Sequence, residues 1–301
     1  MQKLVIAILV LVLVLVILAC SGQDDLRDTG RLSVLVSVVP QKYFVEKIAG
    51  DLVELTVLIP PGASPTTYEI SPSDMRRVNM ADVWFTIGLQ REVTWIPEFS
   101  SLNDQLQIVS TIDGVTRLPI GRYSIPGEHT ENDSHGHDHS GVDPHVWLSP
   151  ELVSIQARTI CANLIELDPV NRGIYSENLT LFLEEIRDLQ IRIHQSIGPF
   201  QGESFIVFHP AWGYFADEFS LIQVPIEIAG SEPSPSELAQ LIDYGKDTSI
   251  KVVFVSPQFS ETSAETIAGE LDAGVVFIDP LALNWAENLA SVAEQIASAM
   301  E

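Results

Sequence analysis

Hydrophobic positions along this chain alternate between two spacings. Dense runs of branched apolar residues predict strands at 32–39, 53–59, 83–87 and, more briefly, 107–109; a second set follows at 204–208, 221–228, 251–255 and 274–278. Between them, apolar residues recur three and four apart, which predicts helices at 41–48, 150–167, 169–197, 211–219, 235–246, 261–271 and 284–300. Strand and helix in alternation is the pattern of α/β units, in which a parallel-type sheet is flanked by helices. About 270 residues after the first 30 exceed what one hydrophobic core organises, so two similar α/β lobes are expected.

The stretch at 169–197 sits between the two sets of strands. Phe182, Ile186, Leu189, Ile193 and Ile197 form one apolar stripe, and no Gly or Pro interrupts the run after Ile174. At 1.5 Å per residue the helix is about 40 Å long, enough to join two lobes rigidly. A short echo supports the repetition: Glu69-Ile70-Ser71-Pro72-Ser73-Asp74 returns as Glu232-Pro233-Ser234-Pro235-Ser236-Glu237. In each copy Ser caps a helix, Pro takes its first position and the acid completes a capping box. The expected division is a first lobe over 31–168, a linking helix over 169–198 and a second lobe over 199–301.

The beginning of the chain departs from both spacings. Met1-Gln2-Lys3 precedes sixteen unbroken apolar residues, Leu4 to Ala19, and then Cys20. One basic residue and an apolar run too short to span a membrane read as an export signal over 1–20. Ile17-Leu18-Ala19-Cys20 resembles the lipobox of prokaryotic lipoproteins, which predicts lipidation at Cys20 and a polar tether over 21–30. The protein is therefore expected outside the cytoplasm, anchored to a membrane by lipid. Beyond Cys20 there is only Cys161, within an apolar helical run, so no internal disulfide can form and a buried thiol is expected.

Charge narrows the partners. With 41 acidic and 16 basic residues the net charge is −25, which disfavours nucleic acid and attracts cations. The candidate chemistry lies in the histidines, five of seven falling between residues 129 and 145. His129, His135, His137 and His139 occupy an Asp-rich loop at 128–140, and the more ordered Asp143-Pro144-His145-Val146-Trp147 follows. Imidazole and carboxylate are the ligands that borderline divalent metals prefer. His209 and Asp279 each directly follow an apolar strand, and α/β sheets collect ligands at the carboxyl ends of their strands.

On these motifs the chain resembles the zinc/manganese solute-binding lipoproteins that serve ABC importers. The likeness runs from Ser37 to the C-terminus through Pro-Gly-Ala-Ser-Pro-Thr-Thr-Tyr-Glu, Asp-Pro-His-Val-Trp-Leu, Phe-His-Pro-Ala-Trp-Gly-Tyr, Glu-Pro-Ser-Pro-Ser-Glu-Leu and Ile-Asp-Pro-Leu. It implies one metal held between two lobes, and it carries three ligands onto His145, His209 and Asp279. The His-rich loop matches the zinc-selective branch. The family's first ligand, a His, is replaced by Thr66, so the fourth position is expected to be open, filled by water, or supplied by Glu69 or the His-rich loop.

The resemblance implies a non-enzymatic, monomeric receptor that captures Zn²⁺ and delivers it to a membrane permease. Mn²⁺ or broad metal specificity is the nearest alternative. A metal-dependent hydrolase, with Glu69 as its base, and a surface adhesin are the readings from other classes.

Overall fold

The computed structural model describes residues 30–120, 141–227, 233–248, 250–259 and 261–301. Every predicted strand run supplies one strand of two four-stranded parallel sheets. The first sheet contains β1 (Leu32–Val36), β2 (Val53–Val57), β3 (Val83–Thr86) and β4 (Gln107–Ser110), in the order β2-β1-β3-β4. The second contains β5 (Ser204–Val207), β6 (Ile222–Pro225), β7 (Val252–Val255) and β8 (Gly274–Phe277), in the order β6-β5-β7-β8. The two orders are the same, so the lobes share one topology. Val34, Leu35 and Val36 of β1 and Val253 and Val255 of β7 are fully buried, as parallel strands covered on both faces must be. In each sheet the order reverses beside the first strand, which opens a crevice at the carboxyl edge.

The helices that return the chain are α1 (Val39–Ala49), α2 (Pro72–Asn79) and α3 (Gln90–Leu102) in the first lobe. α4 (Pro150–Leu167) follows, then the linking helix α5 (Arg172–Ile197). The second lobe adds α6 (Gly213–Phe219), α7 (Pro235–Asp247), α8 (Glu261–Leu271) and α9 (Trp285–Met300). α2 and α7 occupy the same slot, between the second and third strands of their sheets. Both carry the capping box read from the echo: Ser71 accepts from the Asp74 amide at 3.2 Å, and Ser234 from the Glu237 amide at 3.4 Å. The repeated hexapeptide thus marks equivalent positions in two copies of one topology.

Sequence periodicity predicts one helix over 169–197; the structure opens it with a 3-10 turn at Pro169–Asn171 and continues as 26 residues of α-helix. The stripe from Phe182 to Ile197 is buried throughout. α9 packs back along α5, and Trp285 meets Phe44 of α1 edge-on at 5.2 Å. The C-terminal helix therefore closes the core of the first lobe as well as following the second. Glu218 of α6 reinforces this junction by accepting from Ser149 at the start of α4 and from Gln190 of α5. Burial pushes its carboxyl above the usual carboxylate range. Cys161 is buried, as expected.

No element is predicted over 90–102, a stretch that contains Pro97. The structure forms α3 nonetheless, held from its first turn. Glu92 accepts the backbone amides of Ile87, Gly88 and Leu89 at 2.7–3.1 Å and the hydroxyl of Ser37. Gly88 makes this turn with φ +83°, where a side chain would run into Arg117 and Ile112. The consequence for the site is that Leu89, Gln90 and Arg91 are presented at the crevice.

Candidate metal site

Two of the three expected ligands come together. His145 leads into a 3-10 turn at Val146–Leu148 in the first lobe, and His209 follows β5 in the second. Their ring centroids lie 5.3 Å apart with planes at 79°. Each ring is oriented by a buried carboxylate. Nδ1 of His145 lies 2.8 Å from Oδ1 of Asp143, which also accepts the His145 amide at 2.8 Å. Nδ1 of His209 lies 2.7 Å from Oε2 of Glu227. A carboxylate at Nδ1 selects the tautomer whose Nε2 carries the free lone pair, the arrangement found behind metal-bound histidines. Phe259 stacks on the His209 ring at 4.4 Å. Burial lowers the pKa of His209, with the His145 charge acting the same way and Glu227 opposing, so proton competition there sets in only below the usual imidazole range.

Both imidazoles line a cavity of about 260 Å³ between the lobes. Asp279 follows β8 just behind it. Its Oδ1 accepts from Nε2 of Gln258 and from the Leu281 amide, each at 2.9 Å. Gln258 and Leu281 belong to the cavity wall and Asp279 does not. Among the described residues no three of His, Cys, Asp and Glu stand together as a ready-made ligand set. The turns that carry His145 and Asp279 are nevertheless stitched to each other. Nε1 of Trp147 donates to the Pro280 carbonyl at 2.7 Å, and Nε1 of Trp285 donates to the Trp147 carbonyl at 2.6 Å.

Thr66 lines the cavity, its hydroxyl 2.8 Å from that of Ser64. Glu69 stays largely in solvent beside Arg91 and outside the cavity wall, so the proposed hydrolytic base does not face the imidazoles. His129, His135, His137, His139 and Cys20 lie outside the described residues. The stem of the His-rich segment is defined: the Ile120 amide donates to the Gly141 carbonyl at 3.0 Å, and the Asp143 amide to the Leu118 carbonyl at 2.8 Å. That stem ends two residues before His145. Tyr214 and Arg117 both donate to the Asp143 carbonyl and fix it further. Of the described helices, none is long and apolar enough to cross a membrane.

Residues 34–299 match the family model described as ZnuA, zinc-uptake complex component A, periplasmic. The chain belongs to the ZnuA family. It is 29% identical over 257 residues to the high-affinity zinc uptake system protein ZnuA of Bacillus subtilis, covering 83% of this chain and 79% of the relative. It is 25% identical to the manganese-binding lipoprotein MntA of Halalkalibacterium halodurans, over 94% and 92% of the two chains. A crystal structure of ZnuA superposes with a TM-score of 0.82 at 41% identity, covering 90% of this chain and all of that one. A ZnuA deletion mutant with zinc bound gives 0.81 at 42% identity, over 90% and 98%. Family membership accounts for the two parallel sheets and the long helix.

The residues that sequence reasoning passed over are Asp143, Glu227, Gln258 and Arg91. Asp143 stood in the Asp-Pro-His motif but counted only as context. Glu227 carried a signal of its own, the one charged residue in the run from Leu221 to Ile228, where Gln223 is the other polar side chain. Replacing Glu227 by Gln is expected to lower zinc affinity about 10- to 100-fold, because the amide orients the His209 ring without raising its basicity. Competition against a zinc-binding dye measures this, and an unchanged affinity would show that Glu227 only packs against the ring.

Proposed function

We propose that this protein is an extracytoplasmic receptor that captures Zn²⁺ between its two lobes and hands it to an ABC-type permease. The observation that carries the reading is the pair of facing imidazoles, one from each lobe, each with Nδ1 taken by a buried carboxylate. Nε2 of both rings is left for a shared cation. Asp279 completes the set from behind Gln258: on cargo binding its carboxylate exchanges the Gln258 amide for the metal. A lobe over 31–168, a linker over 169–198 and a lobe over 199–301 form the frame, and the long helix favours a small rearrangement over a wide hinge. The chain acts as a monomeric, non-enzymatic lipoprotein anchored through Cys20, and the His-rich loop feeds the site from its stem beside His145.

Two imidazoles and one carboxylate favour zinc over manganese, which prefers harder oxygen ligands. The zinc uptake protein of Bacillus subtilis and the zinc-bound ZnuA mutant support that choice, while the manganese-binding relative marks the alternative. Titration calorimetry with Zn²⁺, Mn²⁺ and Ni²⁺ tests it. Zinc is expected to bind tightest, by about a hundredfold over manganese; preference for manganese overturns the assignment.

A further inference from the structure

The fourth metal position carries a feature that the zinc reading leaves unused. Arg91 is the one permanently charged side chain in the cavity wall among the described residues, and its charge has the same sign as the cargo. It is fixed there: Nε donates to the Thr66 carbonyl at 3.0 Å and Nη1 to Glu69 at 3.4 Å, while the side chain is about one-third exposed. Nη2 has no hydrogen-bond partner among the described residues. The neighbouring Thr66 stands where the family resemblance expects an imidazole, and its hydroxyl is engaged with Ser64. The carboxylates of Asp143 and Glu227 are committed to the Nδ1 side of the two rings and do not line the cavity.

A bare cation next to a guanidinium is repelled in a site partly removed from water. An anion lying between them reverses the sign of that interaction. The cavity, at about 260 Å³, has room for more than an ion and one water, whose share of liquid volume is about 30 Å³. A planar oxyanion suits both neighbours: one oxygen ligates the metal while the other accepts from the guanidinium, whose donors match carboxylate geometry.

We propose that this site takes Zn²⁺ together with a small exogenous oxyanion of the carboxylate or carbonate type, held by Arg91 in the position vacated at Thr66. The inference rests on the receptor reading and deepens it: the cargo is a metal–anion pair, and Arg91 is the residue that selects the anion.

The test is zinc affinity in the parent protein, Arg91→Gln and Thr66→His, each at equal ionic strength in perchlorate, acetate or hydrogencarbonate, with free zinc fixed by a competing chelator. The parent is expected to bind zinc about tenfold tighter in at least one of the two anions than in perchlorate, and Arg91→Gln to lose that gain. Thr66→His, with the imidazole restored, should bind tightly in perchlorate and respond to neither anion. Whichever of acetate or hydrogencarbonate acts identifies the class of anion. Loading with Co²⁺ gives a readout that mere packing would not move: the visible absorption should change on adding the active anion to the parent and stay constant in Arg91→Gln. A parent that ignores both anions, or an Arg91→Gln variant that responds as the parent does, overturns the proposal while leaving the receptor reading intact. If zinc binding fails to depend on His145 and His209 in any buffer, the receptor reading falls and this inference with it.

Discussion

Replacing His145 and His209 together by alanine is expected to weaken zinc binding about 10⁴-fold. Zinc sites of four protein ligands bind with about 10–16 kcal/mol, so each ligand contributes about 3 kcal/mol, roughly a hundredfold. Thr66 stands where the family resemblance expects a further His, so on the proposed site there are fewer ligands to spare. Each single variant should lose about a hundredfold, and the double variant should leave only the surface-type binding expected of an acidic chain. The fold should survive, because both rings stand at the cavity rather than in the core. The variants would, however, leave Asp143 and Glu227 buried with one partner fewer, which costs about 1–3 kcal/mol at each. Competition titrations paired with circular dichroism separate the two effects. If a folded double variant binds zinc within tenfold of the parent, the metal does not sit between these rings.

Sequence alone reached these two rings because both His145 and His209 sit in short motifs at ends of elements, where side chains project into the crevice. The strand runs were equally legible: parallel strands buried on both faces must be apolar at nearly every position, and β1, β3, β5 and β7 are. Pairing between strands is long-range, so the shared order of the two sheets was not visible, although the repeated capping box hinted at it. The helix at Gln90–Leu102 escaped although Glu92 collects the amides of Ile87, Gly88 and Leu89 from only three to five residues away; the hydroxyl of Ser37 adds a long-range partner that no local spacing reveals, and the helix runs on through Pro97. Arg91 escaped for the same reason: with no element assigned there, nothing placed its side chain near Thr66. Glu227 and Gln258 act through other residues, and a partner held across eighteen or twenty-one positions leaves no local spacing to read. The family resemblance carried a ligand onto Asp279, yet Gln258 donates to its carboxylate, and among the described residues it does not stand with the two rings as a ready-made set.

The aromatic stitch between the lobes leads to the largest expected effect on stability. Trp285 is almost wholly buried, meets Phe44 at 5.2 Å and Phe182 at 6.4 Å, and donates its indole N–H to the Trp147 carbonyl at 2.6 Å. Trp285→Ala removes that ring, leaves a cavity where α1, α5 and α9 meet, and strands a buried carbonyl. The expected loss is about 3–5 kcal/mol, or a melting temperature lower by about 10 °C for a chain of this size. Trp285→Phe keeps most of the packing and loses the hydrogen bond, so its loss should be smaller, about 1–3 kcal/mol. The effect should also reach the site. Trp147 is held at one end by Trp285 and holds the Pro280 carbonyl at the other, so it fixes the turn of His145 against the turn of Asp279. Loosening that chain should weaken zinc binding in Trp285→Phe even where the variant remains fully folded, because assembling the ligands would then cost additional ordering. Denaturant unfolding and zinc titration of the two variants test both parts. A Trp285→Ala variant that loses less than about 1 kcal/mol would show that the lobes are joined by α5 alone. Zinc affinity unchanged in Trp285→Phe would show that the turns carrying His145 and Asp279 keep their spacing without the indole bond.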